Sequence, residues 1–253
     1  MADFSGLINS DKTFSDCRVK CGDRTWALHT NILVHRSDYF KAAFTCGLKD
    51  TKTKEVCIDA EDLNPDLLEL ALKFIYGDEN SIIRYIDARE ESEDRPFEII
   101  PTVYEVADYL QINSLCQLCI AELKDRGTKR VEEWKDTYNL DDSLRSYDDP
   151  PVPGCRGAFL HGIFEDWGFT SGCKHAYRLP KLTPDANQPG IRAAFIHFLF
   201  EARRYWYDHT PCLEFAWSMQ LGQFIEDVRE VDQSGMTLDE VLDSWTTSSP
   251  PSE

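Results

Sequence analysis

The stretch SDCRVKCGDRTWALHTNILVHRSDYFKAAF, residues 15–44, decides the fold because its periodicity changes halfway along. Its first half alternates apolar and polar residues on both sides of a turn at Gly22, which is typical of a hairpin of two short strands. Its second half has helical spacing, and Ser37 is a suitable N-cap for a helix that buries Phe40 and Phe44. The stretch therefore predicts two strands followed by two helices.

Downstream of this stretch the pattern continues as a third strand and then as helices. Glu55–Ala60 alternates again, and Asn64 is placed to cap a helix that carries an apolar stripe. Pro101 is predicted to open a further helix. One more helix follows and is expected to end at Gly127, because glycine is favoured just after a helix. A few strands and then helix pairs predict a small α+β domain over residues 1–127.

The rest of the chain differs in composition. Residues 128–157 are predicted to form a linker or long loop, because 141–157 are rich in aspartate, proline and glycine. Residues 158–253 are predicted to form a mostly helical C-terminal region, which resembles no recognised domain type. The apolar residues of this region have helical spacing in three stretches, at 191–207, 213–231 and 237–245.

The charge of the chain limits its partners. Asp and Glu number 45 against 27 Lys and Arg, which makes the net charge −18. Because nucleic-acid backbones and anionic membrane surfaces repel such a chain, we expect no direct binding to either. The longest apolar run, Ala193–Phe200, is much shorter than the ~20 residues that a membrane-spanning helix needs.

The beginning of the chain and its cysteines indicate an intracellular protein. The segment MADFSGLINSDKT lacks the basic residues and the long apolar run of a signal peptide. Nine scattered cysteines, an odd number, are typical of a reducing compartment. We therefore expect a location in the cytoplasm, in the nucleus or in both.

The order and spacing of motifs in the N-terminal half resemble the BTB/POZ domain. These motifs are Phe14-Ser15-Asp16, Ala27-Leu28-His29, Ser37-Asp38-Tyr39-Phe40, Gly47-Leu48-Lys49-Asp50, Val56-Cys57-Ile58, Phe74-Ile75-Tyr76-Gly77 and Ala107-Asp108-Tyr109-Leu110. Asp16 and His29 resemble the family's polar pair, in which the histidine caps the following helix. Residues 78–100 look like an insertion, and we expect its charged part, 84–95, to be a surface loop. This insertion and the lead-in Phe4–Asn9 are similar to the branch common in filamentous fungi.

The resemblance implies a non-enzymatic protein–protein interaction module, and one loop suggests a particular partner. Leu48-Lys49-Asp50 corresponds to the loop with which some BTB domains recruit a cullin scaffold, where a hydrophobic residue, any residue and Glu follow one another. Asp50 keeps the charge but is one methylene shorter. The resemblance therefore implies, as an alternative, a substrate adaptor of a cullin-RING ubiquitin ligase. Thr30 stands where the transcription-factor members have a basic residue, which disfavours a corepressor pocket.

Two further groups of residues are candidates for partner binding. The N-terminal group, which resembles the lead-in segment that builds BTB dimers and implies a homodimer, consists of Phe4, Leu7 and Ile8. The C-terminal group, whose residue types are those of interface hot spots, consists of Arg203, Arg204 and Tyr207. For the second group the alternative is that the arginines lie on the rim of an amphipathic helix.

Metal and catalytic chemistry find little support in the sequence. The residue types of a zinc site occur together at Cys155, His161, Cys173 and His175. Their spacing matches no zinc motif that we know, and packing in a glycine-rich, aromatic loop is the alternative. Cys116 and Cys119 form a C-x-x-C on an apolar helix face, which favours a packing role. Since no catalytic or nucleotide-binding motif occurs, we predict no catalytic residue and no cofactor; a metal-dependent enzyme in residues 155–175 is the alternative from another class.

Overall fold

The structure is a computed structural model, and its chain divides into two compact units. The residues that it describes are 5–8, 14–47, 49–61, 63–88, 95–137, 167–179, 189–197, 222–233 and 240. Unit 1 comprises Met1–Arg89 and Val103–Cys116, and unit 2 comprises Glu90–Thr102 and Gln117–Glu253.

A small sheet, ten α-helices and a 3-10 helix make up the described secondary structure, which confirms the α+β class. A 3-10 helix, Ser5–Leu7, precedes the strands β1 (Cys17–Cys21), β2 (Arg24–Leu28) and β3 (Glu55–Ile58). The helices are α1 (Thr30–Arg36), α2 (Asp38–Thr45), α3 (Lys49–Thr53), α4 (Pro65–Ile75), α5 (Asn80–Asp87), α6 (Arg95–Tyr109), α7 (Asn113–Thr137), α8 (Trp167–Ala176), α9 (191–197) and α10 (Gly222–Gln233).

The sheet of unit 1 has the strand order β2-β1-β3, with β2 antiparallel and β3 parallel to β1. Gly22 makes the hairpin turn with a φ of +55°, a conformation that glycine adopts without strain. Val19 lies beside Trp26 on one side and Val56 on the other, and all three side chains are buried. The predicted strands are confirmed, and the alternation leaves the opposite face of the sheet polar.

The helices behind the sheet begin where the sequence predicts. Ser37 Oγ accepts a hydrogen bond from the Phe40 amide at 3.2 Å and caps α2. The same hydroxyl donates to the Leu110 carbonyl at 2.6 Å, so it also ties α2 to the end of α6. Asn64 Oδ1 accepts from the Asp66 amide at 2.8 Å and caps α4. These caps fix where α2 and α4 begin, and both helices bury apolar side chains in the core of unit 1.

The insertion is more ordered than the sequence suggested. The expectation of a surface loop over residues 84–95 is wrong for 84–87, which belong to α5, and for Arg95, which begins α6. Ile82 and Ile86, four residues apart, are fully buried and hold this helix in place. Arg84 also donates to both oxygens of Asp78, at 2.8 and 2.7 Å. Residues 89–94 lie outside the described part of the chain.

Two predicted helix ends are wrong. Pro101 does not open a helix, because α6 has already begun at Arg95 and the proline is buried inside it. Gly127 does not end a helix, because α7 continues to Thr137. Residues 128–137, expected to begin a linker, are therefore helical. Val131 is buried there, so an apolar contact outweighs the low helix propensity of glycine.

Unit 2 has an aromatic core around Phe169 of α8. Its ring centroid lies 5.9 Å from that of Phe97, 5.5 Å from Phe195 and 6.4 Å from Phe224, all in edge-on geometry. This packing gathers α8, α9, α10 and the beginning of α6. Residues 167–176, which the sequence left unassigned, are thus a helix.

The predicted C-terminal helices are found in part. Of the stretch 191–207 the structure describes helix at 191–197, and of 213–231 it describes α10, which begins at Gly222. The stretch 237–245 lies outside the described residues apart from 240. The domain boundaries at 127 and 157 stay predictions. No helix among the described residues is long and apolar enough to span a membrane.

Candidate protein-interaction site

The predicted partner loop leads into α3, which is anchored to the end of α2. Gly47 has a φ of +75° and turns the chain between the two helices. Its amide donates to Thr51 Oγ1 at 3.1 Å, and that hydroxyl donates to the Ala43 carbonyl at 3.0 Å. Lys49 and Asp50 therefore lie on the first turn of a fixed helix. Leu48 lies outside the described residues.

Two tyrosines accompany this helix, and we call Asp50, Tyr39 and Tyr109 the α3 patch. The rings of Tyr39 and Tyr109 have centroids 5.5 Å apart and are tilted by 38°. Burial raises the pKa of Tyr39, and Tyr109 and the negative charge of Asp50 raise it further. Tyr109 keeps 38% of its surface exposed. The patch thus offers aromatic surface, hydroxyl groups and a carboxylate, which are the means by which proteins hold partners.

Sequence reasoning missed both tyrosines as site residues. Tyr39 entered it only as part of the motif Ser37-Asp38-Tyr39-Phe40, which supported the fold. Nothing in the spacing of the residues shows that Tyr109, seventy positions later, lies against it. The available signal was the Ala107-Asp108-Tyr109-Leu110 motif, which was used only to support the fold.

The polar pair at the base of the sheet has a structural role. Asp16 Oδ1 accepts from the Thr30 amide at 2.7 Å and so caps α1. His29 stands at the N-cap position, but its side chain makes no capping bond. Its amide donates to the Tyr76 hydroxyl at 2.8 Å, and its Nδ1 lies 3.0 Å from the same oxygen. The expectation that His29 caps the helix is therefore wrong, since the aspartate performs that function.

The N-terminal candidates are described in part. Leu7 ends the 3-10 helix with 40% of its surface exposed, and Ile8 is half-buried. Phe14 has 75% of its surface exposed, so this end of unit 1 presents apolar groups to solvent. Phe4 lies outside the described residues. The C-terminal candidates Arg203, Arg204 and Tyr207 lie outside them as well.

The cysteines and histidines do not form a metal site in the part of the chain that the structure describes. Cys155 and His161 lie outside that part. Cys173 is fully buried in α8, and burial, together with the charge of Asp227, raises the pKa of its thiol well above the usual range. His175 stands two residues further along the helix, so the two side chains point to different sides. Cys116 and Cys119 are buried in α7, as predicted.

The comparison with protein families identifies the domain. The family model of the BTB/POZ domain matches residues 6–126. The three-stranded sheet with its caps and helix pairs is therefore a BTB/POZ domain, as the resemblance predicted.

Several relatives of the chain carry Kelch-like names. Kelch-like protein 41 of Mus musculus is 28% identical over 116 residues, which are 46% of this chain and 17% of that protein. Kelch-like protein 40 of Xenopus laevis is 30% identical over 113 residues, 45% of this chain and 16% of that protein. Kelch-like protein 40b of Danio rerio is 27% identical over 120 residues, with shares of 47% and 17%. The chain thus spans about a sixth of the length of these curated relatives.

Proposed function

We propose that the protein is a non-enzymatic interaction module. Its BTB/POZ domain pairs with itself or with another chain, and the region after it holds or selects a protein partner. The observation that carries this proposal is the BTB/POZ domain over residues 6–126 together with the α3 patch on its surface. We also propose a reducing location in the cytoplasm or nucleus, because the nine cysteines of the chain are scattered and odd in number.

A second candidate function is that of a substrate adaptor for a cullin-RING ubiquitin ligase. Asp50 on the first turn of α3 favours it, because a carboxylate stands there beside two tyrosines. The Kelch-like names of the relatives support a protein of adaptor type. Lys49 and Leu48 complete the loop, and Arg203, Arg204 and Tyr207 are the residues that we propose for contact with a second partner.

Replacing Leu48 by arginine should abolish capture of a cullin scaffold, and Asp50→Glu should strengthen it. The arginine places a charge where the partner needs an apolar residue, whereas the glutamate restores the missing methylene. A single charge-assisted contact accounts for about 1.5–3 kcal/mol, so the gain should be about tenfold or more in affinity. Titration of the purified full chain with a purified cullin scaffold measures both changes.

The matched control for this titration is Ala88→Arg. Ala88 is exposed at the end of α5, and the change adds the same charge away from the α3 patch. Equal binding by wild type, Leu48→Arg and Asp50→Glu would rule out the adaptor function. The broader interaction module would survive that result.

Self-association through the lead-in segment is the second property that we propose. We expect the full chain to be a dimer at concentrations of tens of micromolar, a range typical of a specific but modest interface. Leu7→Asp should convert it to monomer, because Leu7 is exposed and apolar and a carboxylate there would have to be desolvated. Light scattering measures the mass of both forms. A monomeric wild type at that concentration would contradict the proposal.

The long acidic insertion and the short lead-in also support a place in the filamentous-fungal branch of the family. The relatives described above are vertebrate proteins, and they match 45–47% of the chain. We therefore keep this affinity as a proposal. A tree built from complete sequences of the BTB/POZ family, with both groups included, tests it.

A further inference from the structure

The polar face of the sheet in unit 1 holds a groove that has no role in the partner binding proposed above. The groove has a volume of about 720 Å³ and lies across all three strands. Most of the residues that line it have ionic or hydroxyl side chains. Those that could contact a charged ligand include Asp16, Arg18, Lys20, Thr25, Lys54 and Glu55. We call it the sheet groove. Its volume lies within the ~300–1,000 Å³ of ordinary ligand sites, but its lining is polar, unlike a small-molecule pocket.

The negative charges of the sheet groove already have partners. Glu55 Oε1 lies 2.8 Å from Lys20 Nζ, so these two charges neutralise each other. Asp16 Oδ1 is engaged by the Thr30 amide at 2.7 Å. These contacts reduce the repulsion that the carboxylates of Asp16 and Glu55 would otherwise exert on an anion in the groove.

Among the described residues, the remaining positive charges of the groove have no ion-pair partners. No carboxylate of the described residues forms an ion pair with Arg18 or Lys54. Lys54 Nζ instead lies 5.7 Å from the ring centroid of Phe44. The Arg18 amide donates to the Lys54 carbonyl at 2.9 Å, so the two residues are neighbours across the sheet. Both residues line the sheet groove, so two cations without an ion-pair partner among the described residues border it on a chain whose net charge is −18.

The backbone of Lys54 gives an independent indication. Lys54 has a φ of +55°, a left-handed conformation that costs a residue with a side chain roughly 1–2 kcal/mol. Glycine or asparagine would stand there with less strain. A lysine kept in such a position, at the rim of a groove, suggests that its charge is used.

We propose that the sheet groove binds an acidic, extended peptide segment of a partner protein. Adjacent carboxylates of that segment would pair with Arg18 and Lys54, and the hydroxyl of Thr25 would donate a hydrogen bond to it. Charge complementarity supports this occupant, because Arg18 and Lys54 attract carboxylates, whereas the net charge of the chain, −18, disfavours non-specific binding of an acidic segment. The groove adjoins α3, because Thr53 at the end of that helix lines it, whereas Arg18 and Thr25 lie on β1 and β2. Failure of this proposal is distinguished from failure of the adaptor function because it is measured as peptide binding at Arg18, not as cullin binding at Leu48 and Asp50.

Titration of the isotopically labelled full chain with an acetylated and amidated hexaglutamate peptide tests the proposal. We expect the backbone NMR signals of residues 15–20, 25–27 and 53–55 to move together as the peptide is added. Arg18→Gln and Lys54→Asn should each weaken the affinity about threefold, the loss expected for one exposed ion pair. Raising the salt concentration should weaken the binding of the wild type as well.

The variants are chosen so that a folding defect cannot imitate the result. Asparagine tolerates the left-handed conformation, so Lys54→Asn should melt no lower than the wild type. Lys41→Gln removes one exposed charge from α2 and is the matched control, which should bind as the wild type does. Equal weakening by this control would overturn the proposal, since it would reduce the effect to net charge.

Two other outcomes would also overturn it. The first is the absence of signal movement at millimolar peptide. The second is the same movement with inorganic phosphate at the same concentration, which would make the groove a general anion site rather than a peptide site.

Discussion

Replacing Phe40 by alanine should destabilise the BTB/POZ domain by about 3–5 kcal/mol. Phe40 is completely buried on α2, with the ring of Tyr39 at 5.3 Å and that of Phe44 at 6.3 Å. The alanine would leave a cavity among these rings, and the Ser37 cap fixes the helix so that it cannot move in to fill it. Because a domain has only about 5–15 kcal/mol of stability, a large part of unit 1 should be unfolded at physiological temperature.

Thermal unfolding of the full chain, followed by calorimetry, measures this effect. The matched control is Phe14→Ala, which deletes the same side chain where 75% of it is exposed, and it should change the stability by less than about 0.5 kcal/mol. An unchanged melting temperature for Phe40→Ala would mean that α2 does not pack as described.

Replacing Gly172 by alanine should destabilise unit 2 by about 3 kcal/mol, at the upper end of the cost of overpacking. A Cβ atom at this position would lie 1.8 Å from the carbonyl oxygen of Phe97 and 2.6 Å from its carbon. The obstacle is backbone rather than the end of a flexible side chain. Relief therefore requires α8 to move away from α6, which would separate Phe169 from Phe97.

Pro101 explains why α8 can approach this closely. In an α-helix the carbonyl of Phe97 would accept a hydrogen bond from the amide four residues later, and proline has no amide hydrogen to donate. The proline inside α6 thus leaves that carbonyl outside the helical bonding pattern, and a glycine without a Cβ lies against it. The sequence indicated Pro101 as the start of a helix, but the proline lies inside α6, close to the point where this helix contacts α8.

Calorimetry of the full chain also measures the effect of Gly172→Ala. The control is Gly6→Ala, because nothing lies within 4 Å of a Cβ added at Gly6. That change should leave the melting temperature within about 2 °C of the wild-type value, whereas Gly172→Ala should lower it by roughly 6–12 °C. Equal melting temperatures for the two variants would show that α8 and α6 are not in contact at this point.

The α3 patch shows how far a sequence can be read toward a site. Lys49 and Asp50 were found because a short loop with a recognisable order of residue types carries them. Tyr39 and Tyr109 were missed because their contact joins two helices that are distant in the chain. Local patterns report neighbours within a few residues, whereas a binding surface is assembled from separate elements.

The sequence by itself determined the elements whose signals are local. The hairpin, the third strand and the caps at Ser37 and Asn64 follow from side-chain alternation and from hydrogen bonds within three residues. The family resemblance also rests on the order of such elements, and the match over residues 6–126 confirmed it.

Only the tertiary structure decided where helices continue past a breaking residue. Pro101 lies inside α6 and Gly127 inside α7, and charged residues around Ile82 and Ile86 fold into α5. A single glycine or proline inside a helix lowers its stability by about 1–3 kcal/mol. Burial of apolar side chains against other elements outweighs this cost. That burial depends on partners far away in the chain, which no local pattern contains.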